Sequence, residues 1–296
     1  MRVTVFAPAK INLSLHVCGK RADGYHLLDS LVVFAAVGDS VVADSAADIS
    51  LTITGPFAEG LSAGEDNLVV RAARLLGDEA GHGAHLKLDK HLPVASGIGG
   101  GSSDAAATLM ACATLWGRDV ALMPDAKIAG ALGADVPVCL ARAPRRMRGI
   151  GDQLVAVPPL PPAWLVLVNP NRPLATKSVF HALAGRHSGP LRDGPPRTES
   201  LKVLVEYLRA CGNDLDVPAI ELMPEIAESI AAVGRQAGCL LSRMSGSGPT
   251  CFGLFGDTAS AAAAAAAVQA ARPGWWVRAG AILAAGDPQL APITAR

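Results

Sequence analysis

Aromatic side chains are scarce in this chain, at 4% of 296 residues, with only two tyrosines and six phenylalanines. Net charge is missing too, because 26 Lys and Arg balance 26 Asp and Glu. A balanced chain has no overall field to draw in nucleic acid or an anionic membrane, so any anion site must be local. The six cysteines (Cys18, Cys112, Cys139, Cys211, Cys239, Cys251) form no CxxC and no Cys/His cluster. That pattern argues against zinc and a disulfide framework and for reduced thiols in a cytoplasmic protein. No long uncharged apolar run occurs. The N-terminus, "MRVTVFAPAKINLSL", carries a charge and a proline where a leader would be apolar, and Ala259 to Ala271 is mostly alanine, the composition of a packing helix. The expected partners are small molecules, with no nucleic acid and no membrane, and the expected state is a monomer or weak homodimer.

Several phosphate signatures are absent as well. A Walker loop needs Gly-Lys followed by Ser or Thr, but Gly19-Lys20 is followed by Arg21. A dinucleotide fold needs a compact GxGxxG turn with an acidic residue closing the next strand, whereas Pro93 to Gly101 is a long loop and Asp119 follows a helix end. The HRD and DFG signatures of eukaryotic-type kinases do not occur.

What the chain does have is "LPVASGIGGGSSDAAATLM" (Leu92 to Met110), with four glycines in five positions. Glycine lets a ligand approach bare backbone and permits positive φ, and a helix starting at Ser102 or Ser103 aims free N–H groups and the positive dipole end into the loop. Phosphate fits that description. Leu86 and Leu88 alternate with polar residues in a strand before the loop, and Leu109, Cys112, Ala113 and Trp116 share a helix face after it. Upstream, Ile11, Leu13, Leu15 and Val17 alternate with Lys10, Asn12, Ser14 and His16, so a strand here turns Lys10 and Asn12 to one face, away from the core. Ile49, Leu51 and Ile53 predict a further antiparallel strand, and Asn67 caps a helix closed by Gly77.

The proline cluster "VPPLPPA" (Val157 to Ala163) marks a boundary between units 1–156 and 157–296. Beyond it are the strand "WLVLV", a helix capped by Thr176, a polar loop from Gly185 to Ser200, helices near 201–210 and 225–236, and strands on either side of "SGSGPT". The alanine helix and a last strand near 275–283 follow. The basic cluster Arg145, Arg146 and Arg148 reads as a solvated charged loop.

Three blocks, "PAKINLSL" (Pro8 to Leu15), "PVASGIGGGSSDAAA" (Pro93 to Ala107) and "MSGSGPTCFGLF" (Met244 to Phe255), resemble in order and spacing the GHMP small-molecule kinases. "GKRADGYH", "GADVPV" and "GND" extend the resemblance to members acting on a cytidine diphosphate sugar alcohol in the non-mevalonate isoprenoid route. The resemblance implies an α+β fold of two domains, a ribosomal protein S5 domain 2-like ATP-binding domain and a ferredoxin-like domain, with the acceptor in the cleft between them. It assigns the ATP phosphates to Pro93, Ala95, Ser96, Gly97, Gly99, Gly100, Gly101, Ser102 and Ser103, with Mg2+ arriving as the ATP complex. It places the acceptor hydroxyl between Lys10 and Asp135, with Asn12 orienting the acceptor.

The same resemblance gives Tyr25 and Phe180 to stacking on cytosine and His26 to reading its edge. Thr176 and Lys177 fall near the diphosphate, and Ser245 and Gly246 lie in a second glycine loop. Read from the residues alone, Asp135 is favoured as a turn or capping aspartate, whereas Lys10, with Asn12 on the same face, is favoured as part of a polar site over a solvated strand-edge lysine. A homoserine or mevalonate kinase shares the glycine loop but has no use for the Tyr25/His26/Phe180 set, and a non-catalytic sensing module has no use for Lys10 and Asp135.

Overall fold

The computed structural model describes residues 1–77, 82–119, 125–191 and 194–295. Its elements run β1 (Arg2–Lys20), β2 (His26–Ala46), β3 (Ser50–Thr54), α1 (Leu68–Gly77), β4 (Gly83–Asp89), α2 (Gly100–Trp116), α3 (Asp125–Leu132), α4 (Val136–Ala141), β5 (Arg145–Gly149) and β6 (Gln153–Ala156). After the proline cluster come β7 (Trp164–Asn169), α5 (Thr176–Ala182), α6 (Leu201–Cys211), α7 (Asp216–Leu222), α8 (Glu225–Gly234), β8 (Cys239–Met244), β9 (Cys251–Phe255), α9 (Thr258–Ala271), β10 (Trp276–Ala281) and β11 (Ile293–Ala295).

The strands make two sheets. The larger has the order β11-β1-β2-β4-β3, with β5 pairing β2 and β6 pairing β5; the smaller has the order β10-β7-β9-β8. The smaller sheet is antiparallel throughout. Numbered along the chain, its strands run 4-1-3-2, the ferredoxin-like order. β11 returns from the far end of the chain to pair with β1 in the larger sheet, Arg2 opposite Ala295.

β1 explains how the two units are joined. Its Val3, Val5 and Ala7 pack with α1 and α2 residues such as Val69, Ala72, Leu109 and Cys112. Its Ala9, Ile11 and Leu13 pack instead against Leu165 and Leu167 of β7, Phe252 and Leu254 of β9, and Leu204 and Leu208 of α6. Leu15 and Val17 join a third cluster with Val179, Leu215 and Ile226. The sheets therefore share a dry interface, and period-two alternation along one strand supplies all three cores.

Local chemistry sets several helix ends. Asn67 Oδ1 accepts from the N–H of Val69 at 2.9 Å, the expected cap of α1. α2 closes at Gly117, φ 65°, whose N–H donates to the Ala113 carbonyl. Ala105, Ala106 and Ala107 of α2 are buried, small enough for the helix to lie close on the sheet.

Several expectations are corrected. β3 pairs parallel to β4, with Leu51 opposite Leu86; alternation reports which face is buried and carries no strand direction. α2 begins at Gly100, not Ser102 or Ser103, because Gly99 adopts the left-handed N-cap conformation itself. Thr176 is the first residue of α5 and Ala175 its N-cap, with no side-chain cap bond. Arg145, Arg146 and Arg148 lie on strand β5, not in a solvated loop: the Arg146 guanidinium donates through Nε and Nη2 to buried Asp29, both at 2.7 Å. Of the polar loop from Gly185 to Ser200, residues 192 and 193 lie outside the described residues.

Candidate active site

A cleft of about 540 Å³ opens where the N-terminus of α2, the middle of β1 and the start of α5 converge. Lys10 and Asn12 line it from β1. Neither points into open solvent, as a free strand face would have it: they are 4% and 1% exposed. The first glycine loop covers Lys10 and the second covers Asn12. The Asn12 N–H donates to Ser245 Oγ at 3.1 Å, Asn12 Nδ2 donates to Ser30 Oγ at 2.7 Å, and Asn12 Oδ1 has no partner.

The bare backbone of the first glycine loop has two kinds of neighbour. Gly97, φ 73°, lies so close to the second loop that a Cβ would sit 2.5 Å from the Gly248 carbonyl oxygen. The Thr250 N–H donates to the Ser96 carbonyl at 3.2 Å across the same seam. At Gly99, φ 63°, a Cβ would touch the stem of Lys10, at 3.1 Å from its Cβ. Gly97 and Gly99 are thus needed for protein–protein packing, while Gly100, Gly101 and Ser102 line the cleft at the first turn of α2. Helix N–H groups without intrahelical partners and the positive dipole end suit that turn to an anion.

Asp135 is at the N-cap of α4, yet its side chain makes no cap bond. Its Oδ2 accepts from Lys10 Nζ at 2.7 Å instead. The Lys10 side chain is 5% exposed and that of Asp135 35%. The ammonium is therefore enclosed, and the carboxylate keeps an open edge toward the cleft. Thr176 Oγ1 lies 2.9 Å from Ser247 Oγ, tying α5 to the second glycine loop.

The model of the GHMP kinases N terminal domain matches residues 67–142, and that of the GHMP kinases C terminal domain matches 198–273. A 4-diphosphocytidyl-2-C-methyl-D-erythritol kinase from Cereibacter sphaeroides is 56% identical over 273 residues, covering 92% of this chain and 96% of its own. The chain belongs to the 4-diphosphocytidyl-2-C-methyl-D-erythritol kinases of the GHMP family. The Ruegeria pomeroyi member is 53% identical, with 96% of this chain and 100% of that one covered. A crystal structure of a 4-(cytidine 5'-diphospho)-2C-methyl-D-erythritol kinase superposes with a TM-score of 0.73 at 34% identity, covering 94% and 98% of the two chains. Homoserine kinase from Cytophaga hutchinsonii, at 18% identity and a TM-score of 0.69 over 99% and 96%, shares the fold.

Within this kinase the cleft gathers Lys10, Asn12, Asp135, Pro93, Ala95, Ser96, Gly97, Gly99, Gly100, Gly101, Ser102, Thr176, Phe180 and Gly246. Ser103 stands behind it, donating through Oγ to the Pro8 carbonyl at 2.7 Å, and buried Ser245 supports Asn12 from below. Lys177 is exposed. Tyr25 and His26 are not among the residues lining the cleft: Tyr25 is 61% exposed, and His26 stacks on Phe180, which does line it, ring centroids 4.8 Å apart. Burial lowers the His26 imidazole from its usual value, with Lys20 and His187 adding to the effect. It is therefore neutral near pH 7, with one ring nitrogen donating and the other accepting.

Sequence reasoning missed two parts of the cleft. One is the group Leu61, Leu68 and Val94 with the polar side chains of Ser62, Asp66 and Asn67, apolar surface beside a few polar groups, a make-up that suits a base. The residues between β3 and α1 have no periodicity to reveal it. The other is Lys90 with Asp104; Lys90 sits one residue past an alternating strand, where it reads as an ordinary polar terminus.

Proposed function

We propose that this kinase transfers the γ-phosphoryl group of ATP to the 2-hydroxyl of 4-diphosphocytidyl-2-C-methyl-D-erythritol, in the non-mevalonate route to isoprenoid precursors. The Lys10–Asp135 pair carries the reading, since it offers an ammonium and an accessible carboxylate 2.7 Å apart beside a helix N-terminus built from glycine. Phosphoryl transfer asks for these groups: positive charge against the moving phosphoryl and a carboxylate to take the acceptor proton. In the proposed reaction Asp135 accepts the hydroxyl proton, the hydroxyl oxygen forms the new P–O bond, and the bond to ADP breaks. Lys10 holds the charge that develops between them, and Asn12, with its free Oδ1, orients the acceptor.

The nucleotide phosphates lie against the first turn of α2, with the base toward Leu61 and Asn67. The acceptor lies on the Phe180 side, where Tyr25, His26, Thr176, Lys177, Ser245 and Gly246 contribute to binding. For cytosine to stack on the Phe180 face that His26 now covers, His26 moves aside to the base's edge and Tyr25 closes over the other face of the base. Magnesium neutralises charge on the phosphates when it arrives with ATP. No group of three or more His, Cys, Asp or Glu side chains is placed to hold a metal among the described residues. That donor set suits an ion carried mainly by phosphate and water. No helix among the described residues is long and apolar enough to cross a membrane, and all six cysteines are free. We place the enzyme in the cytoplasm as a monomer or weak homodimer.

The test is phosphorylation of the cytidine and uridine diphosphate forms of methylerythritol, alongside homoserine and mevalonate. A neutral His26 matched to the amino donor and ring acceptor of cytosine leaves groups unpaired against uracil, and sites of this kind discriminate by up to about 10⁴ in kcat/KM. The expected order is cytidine far above uridine, with His26→Ala narrowing the gap and Tyr25→Ala weakening both alike. Equal use of both nucleotides by the wild type refutes base reading; preference for homoserine or mevalonate refutes the acceptor assignment.

A further inference from the structure

Beneath the glycine loop lies a cluster of buried charge that the phosphoryl-transfer reading does not use. Lys90, between β4 and the loop, is 4% exposed. Its Nζ donates to Asp39 Oδ2 of β2 at 2.5 Å and to Asp104 Oδ2 of α2 at 2.7 Å. Asp39 is well supplied with donors, since its Oδ1 also accepts the backbone N–H groups of His91 at 2.5 Å and Leu92 at 2.8 Å. Asp104 is not. It is 2% exposed, and its Oδ1 has no donor.

Both Lys90 and Asp104 line the cleft, and a Cβ on Gly100 would lie 3.1 Å from Lys90 Nζ. The ammonium therefore pins the start of the loop to the first turn of α2, directly under the proposed phosphate seat. Two carboxylates share one ammonium here, so whenever Asp104 is ionised one negative charge is uncompensated where an anionic ligand is to bind. Buried charge without a partner is costly, and a polyphosphate arriving nearby raises that cost by like-charge repulsion.

We propose that the Asp39–Lys90–Asp104 cluster positions the nucleotide phosphates, and that Asp104 takes up a proton when they bind. The inference rests on the nucleotide occupying this cleft. With the proton on Asp104, the cluster is electrically neutral and Lys90 remains a cation at the loop. Asp39, with three donors, is held in place and fixes the loop's entry. Asp104 is the member able to change.

Burial raises the Asp104 carboxyl to about 8, with Lys90 opposing the rise and Asp39 adding to it. Burial lowers Lys90, and Asp104 and Asp39 outweigh it, so the ammonium persists above its usual range. The other groups facing the cluster are Lys10 with its partner Asp135 across Gly99, and Cys139 of α4, whose thiol burial pushes far above its usual value. Arg142, at the C-cap of α4, donates to the Phe6 carbonyl at 2.9 Å. Bound phosphate raises the Asp104 value further. Nucleotide affinity is then fullest below the free-state value and falls as pH rises through it, by at most about tenfold per pH unit.

The experiment is calorimetric binding of MgADP to the full chain at pH 8.5, in buffers of differing ionisation enthalpy. Dissociation constants are also followed from pH 7.5 to 9.5, above the second phosphate ionisation near 6. Wild type is expected to take up protons and to lose affinity across the range. Asp104→Asn, equal in shape and permanently neutral, is expected to take up none and to show a flat profile. Cytidine diphosphate binding in the acceptor half should be independent of the substitution. Equal proton uptake in the two proteins overturns the proposal. A wild type that binds MgADP without proton uptake also overturns it, and that arm does not require the variant to fold. Failure of wild type to bind MgADP overturns the nucleotide site itself and the proposal with it.

Discussion

Asp135→Asn separates charge from shape at the centre of the cleft. Asparagine keeps the volume of the side chain and an oxygen for Lys10 Nζ, now 2.7 Å from Asp135 Oδ2. The Asp135 side chain is 35% exposed but that of Lys10 only 5%, so the variant leaves an enclosed ammonium without its counter-charge, and the loss of stability falls between about 1 kcal/mol for a screened pair and about 3 kcal/mol for a buried one. Chemistry loses in addition. An amide cannot take the acceptor proton, and a positioned base is worth roughly 10² to 10⁴ in rate, or about 2.7 kcal/mol at the lower bound. The expected result is kcat down by about 10² or more, with KM for ATP unchanged or lower because Lys10 is freed from an anionic partner. Steady-state ADP release with both substrates varied measures it, and a thermal melt verifies folding. A folded variant with kcat within ~3-fold of wild type would remove Asp135 from proton transfer and leave the rate to positioning and positive charge.

Gly97→Ala should weaken both substrates, since its Cβ meets the Gly248 carbonyl oxygen at 2.5 Å in a positive-φ conformation and forces the two glycine loops apart; KM for ATP and for acceptor should each rise about tenfold or more. Gly117→Ala is the control, with positive φ but nothing within 4 Å of the new carbon, and unchanged KM is expected there; wild-type KM values in Gly97→Ala would sink the account of the seam. Asp29→Asn removes the charge that holds Arg146 by two 2.7 Å hydrogen bonds and should destabilise by about 3 kcal/mol, roughly 5 °C or more in Tm for a chain of this size. An unchanged melt would mean that the pair is structurally idle.

The polar and glycine-rich blocks were legible because each records a local requirement. Asn67 has the short side chain that an N-cap needs, and it is found capping α1. Lys10 and Asn12 stand two apart on a strand and do share a face. What local pattern cannot carry is pairing over distance. Nothing in Ser50–Thr54 says whether its neighbour runs parallel, and nothing in Arg145–Gly149 says that a buried aspartate 117 residues earlier turns a charged run into a strand. The glycines were half legible: positive φ and close approach were foreseen, but at Gly97 the approaching group is the backbone of Gly248 rather than a phosphate. The Asp39–Lys90–Asp104 cluster was invisible for the same reason, its members coming from β2, the end of β4 and α2.

The passage of β1 through all three cores bears on how the cleft exchanges its contents. Lys10 and Asn12 sit on a stretch of backbone clamped by Val3, Val5 and Ala7 on one side and by Leu15 and Val17 on the other, with Ile11 and Leu13 wedged between the sheets. Such a strand acts as an axle welded at both bearings: the two lobes cannot swing open around it without tearing a packed interface. Entry of reactants and escape of ADP must therefore be handled at the periphery, by the segments flanking Ser62 and Val94, while the lysine at the axle stays still.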